Sequence, residues 1–277
     1  MSKSKIEWTD VTWSPITGCT KISPGCQNCY AERMSKRLAG RCGYPKENPF
    51  AVTLHPDKLG EPLKWKKPRR VFVCSMGDLF HEDVPFWVID DVIDICDRAS
   101  QHTFLILTKR IERAYGYFDS TSNRVEAFEK AGCWLGITAE NQAMADERWP
   151  ILLQIPAAVR FVSVEPMLGP VDVGKYLGMV SGCQTHCPTT KNACRLHSWE
   201  CSDAHDNRKG IDWVICGGES GPGARPAKIE WIRDLKNQCV TAGVPFFLKQ
   251  MHIGGKMVKM PELDGEVWRE MPDVSTR

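Results

Sequence analysis

Short apolar runs that alternate with stretches of helical period constrain the fold of this chain most strongly. The runs are rich in Val, Ile and Phe and apolar almost throughout, which is typical of strands buried on both faces of a parallel sheet. We predict strands at 70–75, 102–108, 133–138, 159–164, 211–216 and 244–249. Helices are predicted at 28–39, 86–99, 122–131, 141–154 and 229–242.

Repeated strand–helix alternation indicates an α/β protein whose parallel strands are joined by helical crossovers. Two junctions, EKAG before CWLGIT and VTAG before VPFFLK, end a helix at a glycine, which adopts the left-handed conformation without a Cβ penalty. The length of 277 residues is usual for one (β/α) barrel. We therefore predict a single domain, residues 1–277, folded as a partial or full (β/α) barrel; an open doubly wound sheet is the alternative.

Composition and charge limit the classes of partner and the cellular compartment that we expect for this chain. The formal net charge of +2 is too small to indicate a nucleic-acid partner by bulk electrostatics. No apolar run reaches the roughly 18–20 residues that a membrane helix needs, and the N-terminus lacks the apolar segment of a secretory signal. We expect a cytoplasmic protein that does not contact a membrane.

Thirteen cysteines are unusual in a reducing compartment, where clustered thiols more often indicate metal or redox chemistry than disulfides. Cys42 is isolated and uninformative. Five others lie alone in apolar segments and are interpreted as small buried hydrophobic residues: Cys74, Cys96, Cys133, Cys216 and Cys239. The remaining cysteines form two clusters.

The first cluster comprises Cys19, Cys26 and Cys29, with six residues between the first two and two between the last two. Structural zinc normally takes four ligands, and no fourth cysteine or histidine lies nearby in the sequence. Three ligands leave one coordination position open, as a reactive centre requires. The residues alone allow a three-cysteine [4Fe–4S] cluster, structural zinc completed by a distant residue such as His81, or no metal.

The second cluster comprises Cys183, Cys187, Cys194 and Cys201, within a polar stretch at 181–210 that we interpret as an insertion before a late strand. A segment with so little apolar content should need a metal to become ordered. Four cysteines suit Zn²⁺, and a second iron–sulfur cluster is the alternative. A loop that is flexible or linked by disulfides is the third possibility.

Polar residues follow the predicted strands, at the end where (β/α) barrels carry their active sites. Each one alone is as easily explained as a loop charge or a helix cap, but together they predict a polar mouth. They are Ser75, Asp78, Thr108, Lys109, Arg110, Glu140, Glu165, Gly217, Gly218, Glu219, Lys249 and Gln250. The GGESG stretch is not a GxGxxG fingerprint, so we do not predict a Rossmann dinucleotide site.

Several motifs together resemble a known family. WSPITGC-x6-C-x2-CYAER, GDLF, LTKR, VSVEPMLGP and GGESGPGARP look like the phage Gp37/Gp68 family of three-Cys-motif proteins. That pattern is similar to radical S-adenosylmethionine (SAM) enzymes, spore photoproduct lyase among them, which usually have three residues in the first gap. The resemblance implies a [4Fe–4S] cluster on Cys19, Cys26 and Cys29, with SAM on the fourth iron. Reduction of that cluster would yield a 5′-deoxyadenosyl radical that abstracts hydrogen.

The resemblance also implies roles for the polar mouth. Ser75, Asp78, Thr108 and the backbone of Gly217 and Gly218 would bind the cofactor. We assign catalytic or substrate-binding roles to a second set, comprising Lys109, Glu165 and Glu219. The implied substrate is a nucleobase or nucleotide, in modification or repair of DNA or RNA, and the implied electron donor is a flavodoxin or ferredoxin. The basic tract WKKPRR at 65–70 adds mild support for a nucleic acid, although a solvated turn explains it better.

A second hypothesis makes the chain a non-catalytic, zinc-stabilised phage protein that acts as a binding module. The four-cysteine cluster and the long first gap support it. The first cluster distinguishes the two hypotheses, because three ligands suit an open iron site whereas a zinc strut must recruit a fourth.

Cys194→Ala tests the metal at the second cluster. Loss of one of four ligands should lower solubility or stability, because the polar insertion would lose the metal that orders it. The absorbance of an iron–sulfur cluster at the first three cysteines should stay intact. Metal analysis and visible spectra of the purified variant measure both; unchanged zinc and iron content would contradict a site at Cys194.

Overall fold

The computed structural model describes residues 4, 6–177 and 210–273, and its centre is a curled eight-stranded sheet that forms a half-barrel. Strand order is β1-β4-β5-β6-β7-β8-β9-β10; the first seven are parallel neighbours and β10 pairs antiparallel with β9. These strands are β1 (Val11–Trp13), β4 (Arg70–Val73), β5 (Thr103–Thr108), β6 (Trp134–Thr138), β7 (Val159–Val164), β8 (Trp213–Gly217), β9 (Phe246–Ile253) and β10 (Lys256–Lys259). The prediction of a partial (β/α) barrel is confirmed.

Two small antiparallel pairs and seven α-helices complete the described chain. The pairs are β2 (Ile16–Thr17) with β3 (Thr53–Leu54), and β11 (Glu262–Leu263) with β12 (Glu266–Val267). The helices are α1 (Tyr30–Leu38), α2 (Pro56–Leu59), α3 (Phe86–Arg98), α4 (Ile111–Asp119), α5 (Ser122–Lys130), α6 (Gln142–Leu152) and α7 (Ile229–Ala242). None of these helices is long and apolar enough to cross a membrane.

The six predicted strands and five predicted helices are present. At both predicted junctions a glycine follows the end of a helix. Gly132 and Gly243 have φ of 60° and 67°, the left-handed conformation expected after a helix. Strand β1, strand β10 and helix α4 were not predicted. Helix α4 carries Gly116 at its centre, which weakens its helical signal, and β1 is too short to show a period.

Both faces of the sheet are buried. On the outer face, alternate residues such as Phe104 and Ile106 pack against the helices. On the inner face, Trp213 contacts Trp8, Trp134, Phe161 and Phe247, with ring centroids 5.7–6.1 Å apart. The period-2 alternation of a strand explains the two sets, and the five cysteines predicted as small hydrophobic residues are all buried.

The position of the predicted insertion agrees with the topology. The structure describes the chain up to residue 177, after β7, and again from residue 210, before β8. The second cysteine cluster lies outside the described residues, so its metal stays a prediction.

The tract WKKPRR lies at the other end of the barrel from the polar strand ends. Arg70 is the first residue of β4, so the tract meets the amino-terminal edge of the sheet. The guanidinium of Arg69 lies over the Trp65 ring, 5.4 Å from its centroid. The mild support that this tract gave to nucleic-acid binding at the strand ends is therefore withdrawn.

Gly136 in β6 allows a close contact on the inner face. A Cβ at this position would lie 2.3 Å from two ring carbons of Phe161. We expect Gly136→Ala to lower the free energy of unfolding by about 1–3 kcal/mol, because the ring must shift. Urea unfolding measures the difference.

Gly116 provides the matched control. No heavy atom of the described chain lies within 4 Å of a Cβ added there. Gly116→Ala should raise the free energy of unfolding by about 0.5–1 kcal/mol, because alanine restricts the unfolded chain and favours helix. A Gly136→Ala protein as stable as the parent would contradict this packing.

Candidate functional site

One cavity of about 270 Å³ lies at the carboxyl ends of the parallel strands. Within the described residues it brings together all the predicted site residues except Gly217: Cys19, Cys26, Cys29, Ser75, Asp78, Thr108, Lys109, Glu165, Gly218 and Glu219. Gly217 ends β8 beneath this cavity, where an added Cβ would lie 3.1 Å from the Glu165 carboxyl carbon. The polar residues predicted from strand ends thus line one cavity that is open to solvent.

The cysteine loop begins at Gly18, directly after β2. Its N–H donates to the Met76 carbonyl at 2.9 Å, and its φ is 88°. A Cβ there would lie 2.1 Å from the Ala51 carbonyl oxygen, so only glycine fits. The loop then turns through Pro24–Cys26 and ends at Cys29, directly before α1.

Glu140 anchors the middle of the loop. The carboxylate is fully buried and accepts a hydrogen bond from the Gly25 N–H at 2.7 Å, with Arg148 Nη1 at 3.4 Å from its other oxygen. Burial alone would raise the pKa of Glu140, but hydrogen bonds from Ser23 and Gly25 lower it overall. A charged carboxylate therefore holds the loop between Cys19 and Cys26.

Glu219 and Arg225 anchor the end of the loop. Two hydrogen bonds join the guanidinium and the carboxylate, from Nε at 2.9 Å and from Nη2 at 2.5 Å. Asn28 Nδ2 donates to the same carboxylate at 2.8 Å, and Arg225 Nη2 donates to the Pro24 carbonyl at 3.0 Å. We therefore interpret Glu219 as a residue that positions the cysteine loop.

Arg110 contacts the beginning of the loop. Its side chain is 4% exposed, and Nη1 lies 3.2 Å from Cys19 Sγ. Nη2 donates to the carbonyl and hydroxyl oxygens of Thr20 at 3.1 and 2.7 Å. The strand-end residues that predicted the polar mouth include Arg110, but nothing in the sequence indicates its contact with a thiol.

The thiols differ in their electrostatic surroundings. Burial, with the charge of Asp78, raises the pKa of Cys19 to about 11 despite the nearby Arg110. Burial also acts to raise the pKa of Cys26, but the charge of Lys109 and hydrogen bonds from residues 22 and 23 lower it overall. Metal ligation requires thiolates, and Lys109 and Arg110 supply the cations that favour them.

Asp78 organises the turn after β4. Its Oδ1 accepts hydrogen bonds from the Phe80 N–H at 3.0 Å and the Thr108 hydroxyl at 2.7 Å. Its Oδ2 accepts one from the Lys109 N–H at 3.2 Å. Asp78 and Thr108 line the cavity and are hydrogen-bonded to each other. Ser75 also lines the cavity, from the turn that contains Asp78. The predicted roles of these residues in cofactor binding stay predictions.

Two lysines present charge to the cavity. Lys249 Nζ lies 2.6 Å from Glu165 Oε1, which also accepts a hydrogen bond from Gln250 at 3.1 Å. Lys109 lines the cavity too, and within the described residues its ammonium makes neither a hydrogen bond nor an ion pair. Lys109 is thus available to an anionic ligand, while Glu165 and Lys249 neutralise each other.

The lower part of the cavity is apolar and aromatic. Trp8, Phe72 and Leu107 line it, and the rings of Trp8 and Phe72 lie 4.8 Å apart. The indole N–H of Trp8 is buried without a hydrogen-bond partner. Sequence reasoning missed Trp8, Asn28 and Arg225; only Arg225 carries a signal, since it shares the GGESGPGARP motif with Glu219.

The three thiols at the cavity are a donor set that a metal centre could take. Among the described residues, no three side chains of His, Cys, Asp or Glu converge closely enough to hold one metal ion. Thiols are the ligands that iron–sulfur clusters take.

Both ring nitrogens of His81 lie within hydrogen-bond distance of neighbouring residues. Its Nδ1 accepts a hydrogen bond from the Asp83 N–H at 3.1 Å, which places the ring proton on Nε2. Nε2 lies 2.9 Å from Thr20 Oγ1 and donates to it. These hydrogen bonds hold the ring against the cysteine loop, and a role for His81 as a zinc ligand stays a prediction.

Acid unfolding tests the clamp on the cysteine loop. Burial acts to raise the pKa of Glu219, but Arg225 and Asn28 lower it from 4.5 to about 2. A carboxylate with a depressed pKa stabilises the fold above its unfolded value, and this contribution is lost as the pH falls through the folded value. Glu219→Gln should therefore lose less stability than the parent between about pH 4.5 and 2.

The control is Glu266→Gln, in the exposed part of the β11–β12 hairpin. Thermal unfolding of the three proteins at several pH values measures the effect. At neutral pH we expect Glu219→Gln to be the least stable, because it leaves Arg225 without its carboxylate. A pH dependence identical to that of the parent would contradict the clamp.

Comparison with known proteins gives a family but no activity. The model of a family described as a protein of unknown function, DUF5131, matches residues 3–272. Searches of curated proteins and of solved structures found no match. The match covers nearly the whole chain, and we conclude that the chain belongs to the DUF5131 family.

Proposed function

We propose that this chain is an enzyme of the radical SAM type, with a [4Fe–4S] cluster on Cys19, Cys26 and Cys29. The observation that carries the proposal is the position of these thiols, which line one cavity at the carboxyl ends of the half-barrel strands. Active sites of (β/α) barrels lie at that edge. The motif resemblance to the phage Gp37/Gp68 proteins, and through them to radical SAM enzymes, supports the same conclusion.

Reduced by one electron, such a cluster with SAM supplies hydrogen abstraction from an unactivated carbon. The protein binds and orients the cofactor and the substrate, and it excludes water from the site. In this proposal the three cysteines bind the metal, and Lys109 and Arg110 offset the negative charge of the thiolates. Ser75 and the backbone at Gly218 are the groups on the cavity wall that would contact SAM.

The proposed substrate is a nucleobase or nucleotide. A flat aromatic group fits the lower cavity, where Trp8 and Phe72 offer ring surfaces and an unpaired indole N–H. A phosphate or other anion fits beside Lys109, whose ammonium has no partner among the described residues. Glu165 and Lys249, joined at 2.6 Å, would hydrogen-bond polar atoms of the substrate. A flavodoxin or ferredoxin is the proposed electron donor.

We also propose a cytoplasmic location. All nine cysteines of the described residues are free thiols, as expected in a reducing compartment. The absence of disulfides among them agrees with the interpretation that the buried ones act as small hydrophobic residues.

Metal analysis after anaerobic reconstitution tests the proposal. The parent protein should bind about four irons per chain at the first site, and its reduced EPR spectrum should change when SAM is added. Cys29→Ala should lose both the iron and the cleavage of SAM. Cys42→Ala, which removes an exposed cysteine outside the cavity, is the matched control and should retain both.

The outcomes separate the hypotheses. Nearly eight irons would indicate a second cluster at the insertion. Zinc without iron after reconstitution would exclude the radical mechanism and leave the metal-stabilised binding module.

A further inference from the structure

The guanidinium of Arg110 is buried against the cysteine loop and engages it at three atoms. Nη1 lies 3.2 Å from Cys19 Sγ, and Nη2 donates to both oxygens of Thr20. Nε donates to Glu82 at 3.0 Å. A guanidinium presents its donors in a rigid fork, so these contacts fix the Cys19 thiol relative to the end of β5.

The charge around Arg110 does not require a contact with sulfur. Glu82, which is largely exposed, accepts from Nε, and Asp78 lies 3.5 Å from Nη1, so the guanidinium has carboxylate partners without the sulfur. Lys109 and His81 are the other titratable groups beside it from the neighbouring elements. Nη1 nevertheless reaches a thiol that the proposed function assigns as a metal ligand.

We propose that Arg110 is a positioning residue that sets the reduction potential of the cluster bound by Cys19. This inference rests on the proposed function. Hydrogen bonds to ligand sulfur and nearby charge are among the factors that set the potential of an iron–sulfur cluster. A buried cation that donates to the sulfur stabilises the reduced form, which carries one more electron. Arg110 therefore makes the one-electron reduction easier.

Two variants separate charge from geometry. Arg110→Gln removes the cation, and Arg110→Lys keeps a charge but loses the fork. Arg124→Gln is the matched control, because Arg124 forms a comparable pair with Asp90 at 2.8 Å but does not line the cavity. Each protein is reconstituted anaerobically, and iron content, thermal unfolding, EPR spectrum and the potential of half-reduction by dithionite are measured.

In Arg110→Gln we expect the midpoint reduction potential of the cluster to become more negative by at least about 59 mV. This shift is a tenfold change in the equilibrium constant of the one-electron reduction. The EPR spectrum of the reduced protein should also change. Arg110→Lys should recover part of the shift, and Arg124→Gln should match the parent. An unchanged potential in Arg110→Gln with full iron content would overturn the inference.

Failure of the inference is distinguishable from failure of the proposed function. A parent protein that binds no iron contradicts the proposed function itself. If only Arg110→Gln loses its iron, the reduction potential of Arg110→Lys is compared with that of the parent. An unchanged potential in Arg110→Lys would then overturn the inference. Loss of iron in both variants, with unfolding like that of the parent, would leave Arg110 a role in holding the loop and reject redox tuning.

Discussion

The burial of both faces of the parallel sheet is the constraint on which the rest of the structure depends. Helices cover the outer face, and aromatic rings around Trp213 fill the inner face. Polar side chains that need a partner or water can then gather only at the strand ends. Because parallel strands end at the same edge, residues far apart in the chain meet there: Asn28 and Glu219 are 191 positions apart and share a hydrogen bond.

The cysteine loop has no regular structure of its own beyond one short turn, and buried charged groups hold it. Glu140, Arg110 and the Glu219–Arg225 pair contact it at successive points. Loss of one partner from a buried pair costs about 3–5 kcal/mol, whereas exposed pairs contribute about 0–1 kcal/mol. Contacts within the protein therefore hold the loop in place, and a cluster of the proposed kind would meet three thiols already gathered at one cavity. Such preorganisation lowers the cost of bringing three thiols together.

Charged and aromatic side chains give the cavity regions with different chemistry. Cations lie beside the thiols, a neutralised Glu165–Lys249 pair lies across the cavity, and aromatic rings line its lower part. Lys109 is the cation with no partner in the described chain. This arrangement is compatible with the flat, partly anionic substrate of the proposed function.

The sequence by itself determined the sheet, its parallel strands and the edge at which the site lies, because buried strands and amphipathic helices leave local hydrophobic patterns. It also identified many polar residues of the cavity, such as Glu165, because they follow strand ends directly, and Cys19 because it lies in a cluster of cysteines. The tertiary structure alone decided what these residues contact. Arg110 meets sulfur, and Glu219 meets Arg225 and Asn28, because long-range packing brings loops together and no local pattern records which side chains then come within hydrogen-bond distance.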